Sequence, residues 1–207
     1  MKIIEPKVEI IAHTIDPHLV IEYAARNCYK SHDYIKEGSS ERLFNQIVKQ
    51  THHNSVAEHA VVTFMITTDR AVMAQMTRHR HASYSIESQR YVNYSKDKFG
   101  NEVGFIKPFD LQAGTTAYEI WESAMSSAEK SYFELLDNGC KPETARAVLP
   151  NSAKTDIVMT MNVSSLRNFF SLRCSPHAQS DIRNIANLMM QAMKEVGIPE
   201  WLFDDVT

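Results

Sequence analysis

The stretch HAVVTFMITTDRAVMAQMTRHR (59–80) changes its period in the middle. Over 59–68 the residues are β-branched and apolar, the composition of a strand. Asp69 then stands where a helix N-cap stands and predicts a helix running to about Arg80. A strand that feeds directly into a helix ending on a basic cluster is the unit from which the rest of the fold is read. Upstream, VEIIAH (8–13) is a second strand, and 16–29 is a helix with an Asp16 cap and Pro17 in its first turn. A loop at KEGSS separates it from a helix that runs from Ser40 through Leu43, Phe44, Ile47 and Val48 to His52.

Downstream, 83–101 is polar, rich in Tyr and Ser and without clean periodicity, and is expected to be a loop held by ligands or a partner chain. Tyr118, Trp121, Met125, Tyr132 and Leu136 mark a long amphipathic helix over 112–137, closed by Asn138-Gly139 as a left-handed cap. A short helix over 142–148, a strand over 155–163 and helices over 164–172 and 178–196 complete the chain, with Pro176 between the last two. No repeat or linker interrupts this order, so the expectation is one α+β domain spanning 1–207.

Composition narrows the function. Of 207 residues, 43% are hydrophobic and 23% charged, which removes disordered, collagen-like and coiled-coil classes. The balance 22 − 25 = −3 gives no global pull toward nucleic acid or an anionic membrane, so any polyanion site must be local. No apolar run approaches the roughly 20 residues that span a bilayer, and the start lacks a signal core, so the expected location is cytoplasmic. Cys28, Cys140 and Cys174 are read as reduced thiols.

Two clusters carry chemistry. In His52-His53-Asn54-Ser55-Val56-Ala57-Glu58-His59 the zinc pattern of histidines at i and i+4 with Glu between them is broken by Asn54-Ser55. A helix end followed by a Ser55-x-x-Glu58 capping box accounts for it, and no metal is expected. The run from Arg78 to Tyr91 is richer, with three arginines, two histidines and interleaved hydroxyls. Guanidinium forks pair bidentately with phosphate oxygens, so a phosphorylated ligand is expected there. Two other classes stay open on the residues alone: a metal-dependent nucleotide phosphohydrolase built on His52, His53, Glu58 and His59, and a basic-loop nucleic-acid binder.

Arg78-His79-Arg80, seven residues, Ser88, then Arg90-Tyr91 resembles the signature of the flavin-dependent thymidylate synthases. Arg26-Asn27-Cys28-Tyr29, His53-x-Ser55-x-x-Glu58-His59, Gln75, Ala145-Arg146-x-Val148-Leu149-Pro150, the run from Asn162 to Arg173, and His177-Ala178-Gln179 follow in family order. The resemblance implies an FAD enzyme that reductively methylates dUMP to dTMP. Methylenetetrahydrofolate would donate the carbon, and NADPH or NADH the reducing equivalents; with hydride supplied by the flavin no cysteine need attack the base, so the resemblance assigns Cys28, Cys140 and Cys174 to packing. It implies an α+β fold with a small, mostly antiparallel sheet packed with helices, and a homotetramer with shared active sites. No nucleic-acid or membrane partner is implied.

By the same resemblance Ser55, Arg78, His79, Arg80, Asn162 and Asn168 would contact FAD, with His53 near the flavin ring. Gln75, Arg78, Ser88, Gln89, Arg90, Arg146 and Arg173 would hold dUMP, Ser88 by a hydrogen bond to its phosphate. Arg173 matches the family residue that polarises the pyrimidine at N3, whereas Arg167 is read as a surface charge. Two departures stand out. Ser85-Ile86 replaces Asn-Glu of the common signature, and Glu87, one residue later, is expected to take over that acceptor role for cofactor and substrate, kept ionised by Arg78, Arg80 and Arg90. Asn162-Val163-Ser164 lacks the cation of the family's Asn-x-Arg.

Overall fold

A computed structural model describes residues 1–96 and 100–207. Thirteen elements organise them. These are β1 (Lys2–Ile4), β2 (Lys7–His13), α1 (Pro17–Asn27), α2 (Ser39–Phe44), β3 (Val61–Asp69), α3 (Arg70–Met76), β4 (Ala82–Ile86), β5 (Gly104–Ile106), α4 (Thr116–Asp137), α5 (Pro142–Ala145), β6 (Lys154–Asn162), α6 (Val163–Arg173) and α7 (Ser180–Glu195). Four strands form a sheet in the order β2-β3-β6-β4. Thr63 bonds Thr160 at 2.9 Å and Thr67 bonds Asp156 at 2.7 Å. One partner number rises as the other falls, so β3 and β6 are antiparallel. β1 and β5 pair in parallel, Lys2 opposite Gly104. The class is the expected α+β with a small, mostly antiparallel sheet.

Contacts divide the chain into two compact units, one of Met1–Lys7, Ile66–Arg78 and Ser85–Ile157, the other of Val8–Met65, His79–Tyr84 and Val158–Thr207. In the first, α4 lays Met125 and Tyr132 against Tyr94, Val103, Phe105, Ala145 and Ala153. Thr115 caps α4 by accepting the Tyr118 N–H, and Gly139, at φ 83, ends it in the left-handed region. In the second, α1 packs on α2, and α6 on α7. Ile21, Phe44, Leu166, Phe169, Phe170, Ile185, Met189 and Phe203 are buried there. Phe170 meets Phe169 and Phe203 edge-on, with ring centroids 5.6 and 5.4 Å apart.

Several expectations are corrected. Asp69 caps α3, accepting the Val72 N–H at 2.7 Å, yet the helix ends at Met76 rather than Arg80. Arg78 N–H bonds the Gln75 carbonyl, a tightened last turn that releases the chain toward β4. Residues 83–86, expected within a loop, belong to that strand, whose side chains alternate between half-buried and exposed. Residues 97–99 of the same expected loop lie outside the described residues.

The expected helix from Ser40 to His52 is α2 continued by a π-helical turn over Asn45–Gln50. Asp16 sits at the N-cap of α1 in the left-handed region at φ 47 with no side-chain cap bond. Pro17 disfavours the right-handed helical region for the residue before it, and the Asp16 carbonyl accepts the Leu19 N–H. Residues Asn54–His59 form a 3-10 helix capped at His53 without a side-chain bond, so the Ser55–Glu58 capping box does not form.

Arg167 is buried rather than on the surface. Its fork donates to both Asp205 oxygens at 2.7 and 2.6 Å, and the guanidinium lies 5.3 Å from the Phe44 ring centre. A buried cation persists because it is paired bidentately and stacked.

Candidate functional site

In the second unit, the N-terminal turn of α6 and the segment leading into β4 enclose a cavity of about 230 Å³ lined by Glu58, His79, Arg80, His81, Met161, Asn162, Ser164, Ser165 and Asn168. Asn162 ends β6 and caps α6, its Oδ1 accepting the Ser165 N–H at 2.7 Å. The Val163 N–H goes to the Ala60 carbonyl at 2.9 Å. With two of the helix's opening donors engaged, the cavity's capacity for an anion rests mainly on the Arg80 guanidinium, the imidazoles and the Asn168 amide.

His79 is buried in that wall. Its ring tilts over Phe169 at a centroid distance of 4.8 Å, and Tyr84 donates its hydroxyl to the His79 carbonyl at 2.9 Å. Arg173, at the end of α6, donates Nε–H to His79 Nε2 at 3.0 Å. Burial, and next the Arg173 charge, lower the imidazole from 6.5 to about 4, so the ring is neutral at physiological pH. Burial alone pushes the Tyr84 hydroxyl up to about 12.

The structure thus brings His79, Arg80, Asn162 and Asn168 to one cavity, with Arg173 bonded to its wall. It does not bring Ser55 or His53 there. Ser55 lines a separate cavity of about 580 Å³ with Tyr23, Asn27, Cys28 and His59, and His53 is exposed, its N–H on the Ile47 carbonyl. Among the described residues no group of three His, Cys, Asp or Glu side chains is placed to hold a metal ion. The packing assignment of the cysteines is corrected for Cys28, which is exposed, while Cys140 and Cys174 are half-buried.

In the first unit, α3 carries Gln75, half-buried, and Arg78 follows it, exposed. Ser88 Oγ accepts the Arg90 N–H at 3.3 Å, and Arg90 pairs with Glu143 at 2.8 Å while lying 5.3 Å over the Tyr91 ring. Gln89 is buried, and its amide nitrogen has no hydrogen-bond partner in the structure. Arg146 is exposed in a 3-10 turn after α5.

Glu87 stands apart from this set, and the expectation that arginines keep it ionised is corrected. Its carboxylate accepts from Lys154 Nζ at 2.9 Å and from the Tyr94 hydroxyl at 2.9 Å. Lys154 also pairs with Asp156, and Asp156 accepts from Thr67 at 2.7 Å. Burial pulls the Lys154 ammonium down, but Asp156 and Glu87 outweigh it and leave it raised. The sequence reasoning missed this network. Its one legible signal was Lys154-x-Asp156 at strand spacing, which puts both side chains on one face of β6.

The residues fit the flavin that the signature implies only in part. Arg80, Asn162 and Asn168 supply charge and amides suited to phosphate and ring oxygens, in a cavity sized for one portion of a dinucleotide.

A family model described as thymidylate synthase complementing protein matches residues 9–200. A flavin-dependent thymidylate synthase of Geobacter sulfurreducens is 40% identical over 205 residues, covering 96% of this chain and 86% of its own. One from Pyrococcus furiosus is 34% identical over 194 residues, 90% of this chain and 78% of its own. Among solved structures, thymidylate synthase X of Helicobacter pylori with FAD and dUMP superimposes with a TM-score of 0.78 at 22% identity over 97% of this chain and 98% of that one. A UMP/dUMP methylase, PolB, of Streptomyces cacaoi bound with 5-Br dUMP superimposes with a TM-score of 0.79 at 26% identity over 94% and 93%.

Proposed function

This chain belongs to the family of flavin-dependent thymidylate synthases, and from that premise we propose that it forms dTMP from dUMP with methylenetetrahydrofolate as carbon donor and NADPH or NADH as reductant. FAD, when bound, supplies the hydride-carrying ring. The cavity residues His79, Arg80, Asn162 and Asn168 would hold it through charge and amide donors, while Ser55, Arg78 and His53, which the family motif adds to the flavin contacts, do not line that cavity. Gln75, Arg78, Ser88, Gln89, Arg90 and Arg146 hold dUMP, the guanidinium forks taking phosphate. Arg173 is the catalytic cation, stabilising negative charge that develops on the pyrimidine.

The observation that carries this reading is the hydrogen bond from Arg173 Nε to His79 Nε2, which ties the signature's central histidine to the matched catalytic arginine. Cys174 agrees with it. Burial raises the Cys174 thiol, the one beside Arg173, so it stays protonated at neutral pH and is a poor nucleophile. Residues 1–207 act as one catalytic domain in a cytoplasmic homotetramer with shared sites. Among the described residues no helix is long and apolar enough to cross a membrane.

The test is the visible spectrum of the purified chain with added FAD, followed by dTMP formation. The expected result is a yellow protein that bleaches with reduced nicotinamide and makes dTMP only when methylenetetrahydrofolate is present. Colourless protein that ignores FAD refutes the assignment.

A further inference from the structure

His79 reaches Arg173 across 94 positions of sequence, from the segment before β4 to the last residue of α6. Three contacts define its place: the Arg173 Nε–H on Nε2 at 3.0 Å, the tilted packing on Phe169, and the Tyr84 hydroxyl on its own carbonyl. An imidazole nitrogen that accepts carries no proton, so in the neutral ring the proton sits on Nδ1. On the arginine side, Nε lies in the plane of the guanidinium. A bond there sets that plane and aims the two Nη groups as a fork.

We propose that His79 is a positioning residue for Arg173, its Nδ1–H tautomer using Nε2 to fix the guanidinium plane so that the Nη fork meets the pyrimidine edge of dUMP. The proposal rests on the reading of Arg173 as the pyrimidine contact. A guanidinium held at one edge loses less freedom on meeting substrate and cannot swing out of the plane in which charge develops.

The electrostatics agree with the geometry. Facing His79 are Arg173 and Tyr84, and its cavity adds Glu58, Arg80 and His81. Burial and the Arg173 charge bring the imidazole down to about 4, so Nε2 remains an acceptor as pH falls through the range where an ordinary histidine charges. Below about 4 the added proton takes the Nε2 lone pair and sets two cations against each other.

The experiment uses the full chain with FAD, with histidine and arginine labelled by ¹⁵N. His79 should show a bare Nε2 and a protonated Nδ1, unchanged from about pH 8 to about pH 5. The Arg173 Nε–H should be protected from exchange. His79→Phe keeps an aromatic ring against Phe169 and removes the acceptor. It should expose the Arg173 Nε–H and lower kcat on the order of 10²-fold, the scale of a misplaced catalytic group, with a smaller change in KM. His79→Gln, whose Oε1 reaches about where Nε2 stood, should restore most of both. If His79→Phe does not fold, the wild-type spectra and His79→Gln decide.

A proton on Nε2, titration of His79 as an ordinary histidine, or full kcat in His79→Phe overturns the proposal. A wild-type chain that makes no dTMP refutes the function instead, and the spectra separate the two failures because they require no turnover.

Discussion

Replacing Glu87 by Gln discriminates between a carboxylate aimed at ligand and one consumed inside the protein. Glu87 and Lys154 are 14% and 21% exposed in their side chains and 2.9 Å apart, and Tyr94 donates to the second Glu87 oxygen at 2.9 Å. Gln keeps the shape but presents an amide N–H₂ in place of one acceptor, so either Lys154 or Tyr94 faces a donor. A charged hydrogen bond contributes about 1.5–3 kcal/mol. Lys154 keeps Asp156 as a partner, and solvent screens part of the pair, so the expected loss is about 1–2 kcal/mol. For a chain of this length that is a fall in Tm of about 2–8 °C.

Urea and thermal unfolding of Glu87→Gln, Lys154→Met and the double variant isolate the pair, with an expected coupling of about 1 kcal/mol. The affinity for dUMP, measured by titration on the folded variants, should change less than about threefold, below the tenfold that 1.4 kcal/mol would produce. A tenfold loss of dUMP affinity with an unchanged Tm would overturn this account and return Glu87 to the ligand. The pH dependence has its own sign. Lys154 is raised in the folded state, so its contribution is complete below its ordinary value of 10.5 and disappears as pH rises through the folded value. The difference between wild type and Lys154→Met should therefore be flat through neutrality and shrink only on the alkaline side of 10.5.

Arg173→Ala should cut turnover by roughly 10² to 10³, the scale for removing one preorganised charge-stabilising donor, while FAD binding followed by flavin absorbance persists. Asp205 is pulled up by burial but more strongly down by Arg167, and is net lowered. Its stabilisation is complete above its ordinary value of 3.8 and is lost as pH falls through the folded value, so Asp205→Asn should unfold more readily at neutral pH and approach wild type in acid below 3.8. Gly139→Ala places a side chain at φ 83 with nothing within 4 Å of its Cβ, so only backbone strain opposes it. Chemical denaturation should register a loss of about 1–2 kcal/mol with catalysis unchanged.

Local order was legible in the sequence because it depends on neighbours a few residues apart. The strand-to-helix switch at Asp69 came from the end of a β-branched run followed by a capping side chain, and the Val72 N–H on that carboxylate is the physical event behind it. The end of α4 at Gly139 was readable because only glycine enters φ 83 without strain. The signature Arg78-His79-Arg80 with Ser88 and Arg90-Tyr91 pointed to the family without any structure.

What no local pattern encodes is which side chains meet across long separations. Arg167 looked like any helix-surface cation until Asp205, 38 positions away, and Phe44 enclosed it. Glu87 sat among arginines in the sequence, but β6 brings Lys154 to it from 67 positions away, and distance in space decides an ion pair. His79 and Arg173, 94 positions apart, could each be assigned to a ligand from the motif alone, but not to each other. Pairing of that kind depends on how α6 packs beside the segment before β4, where a bond of 3.0 Å and the loss of water around one imidazole settle its proton.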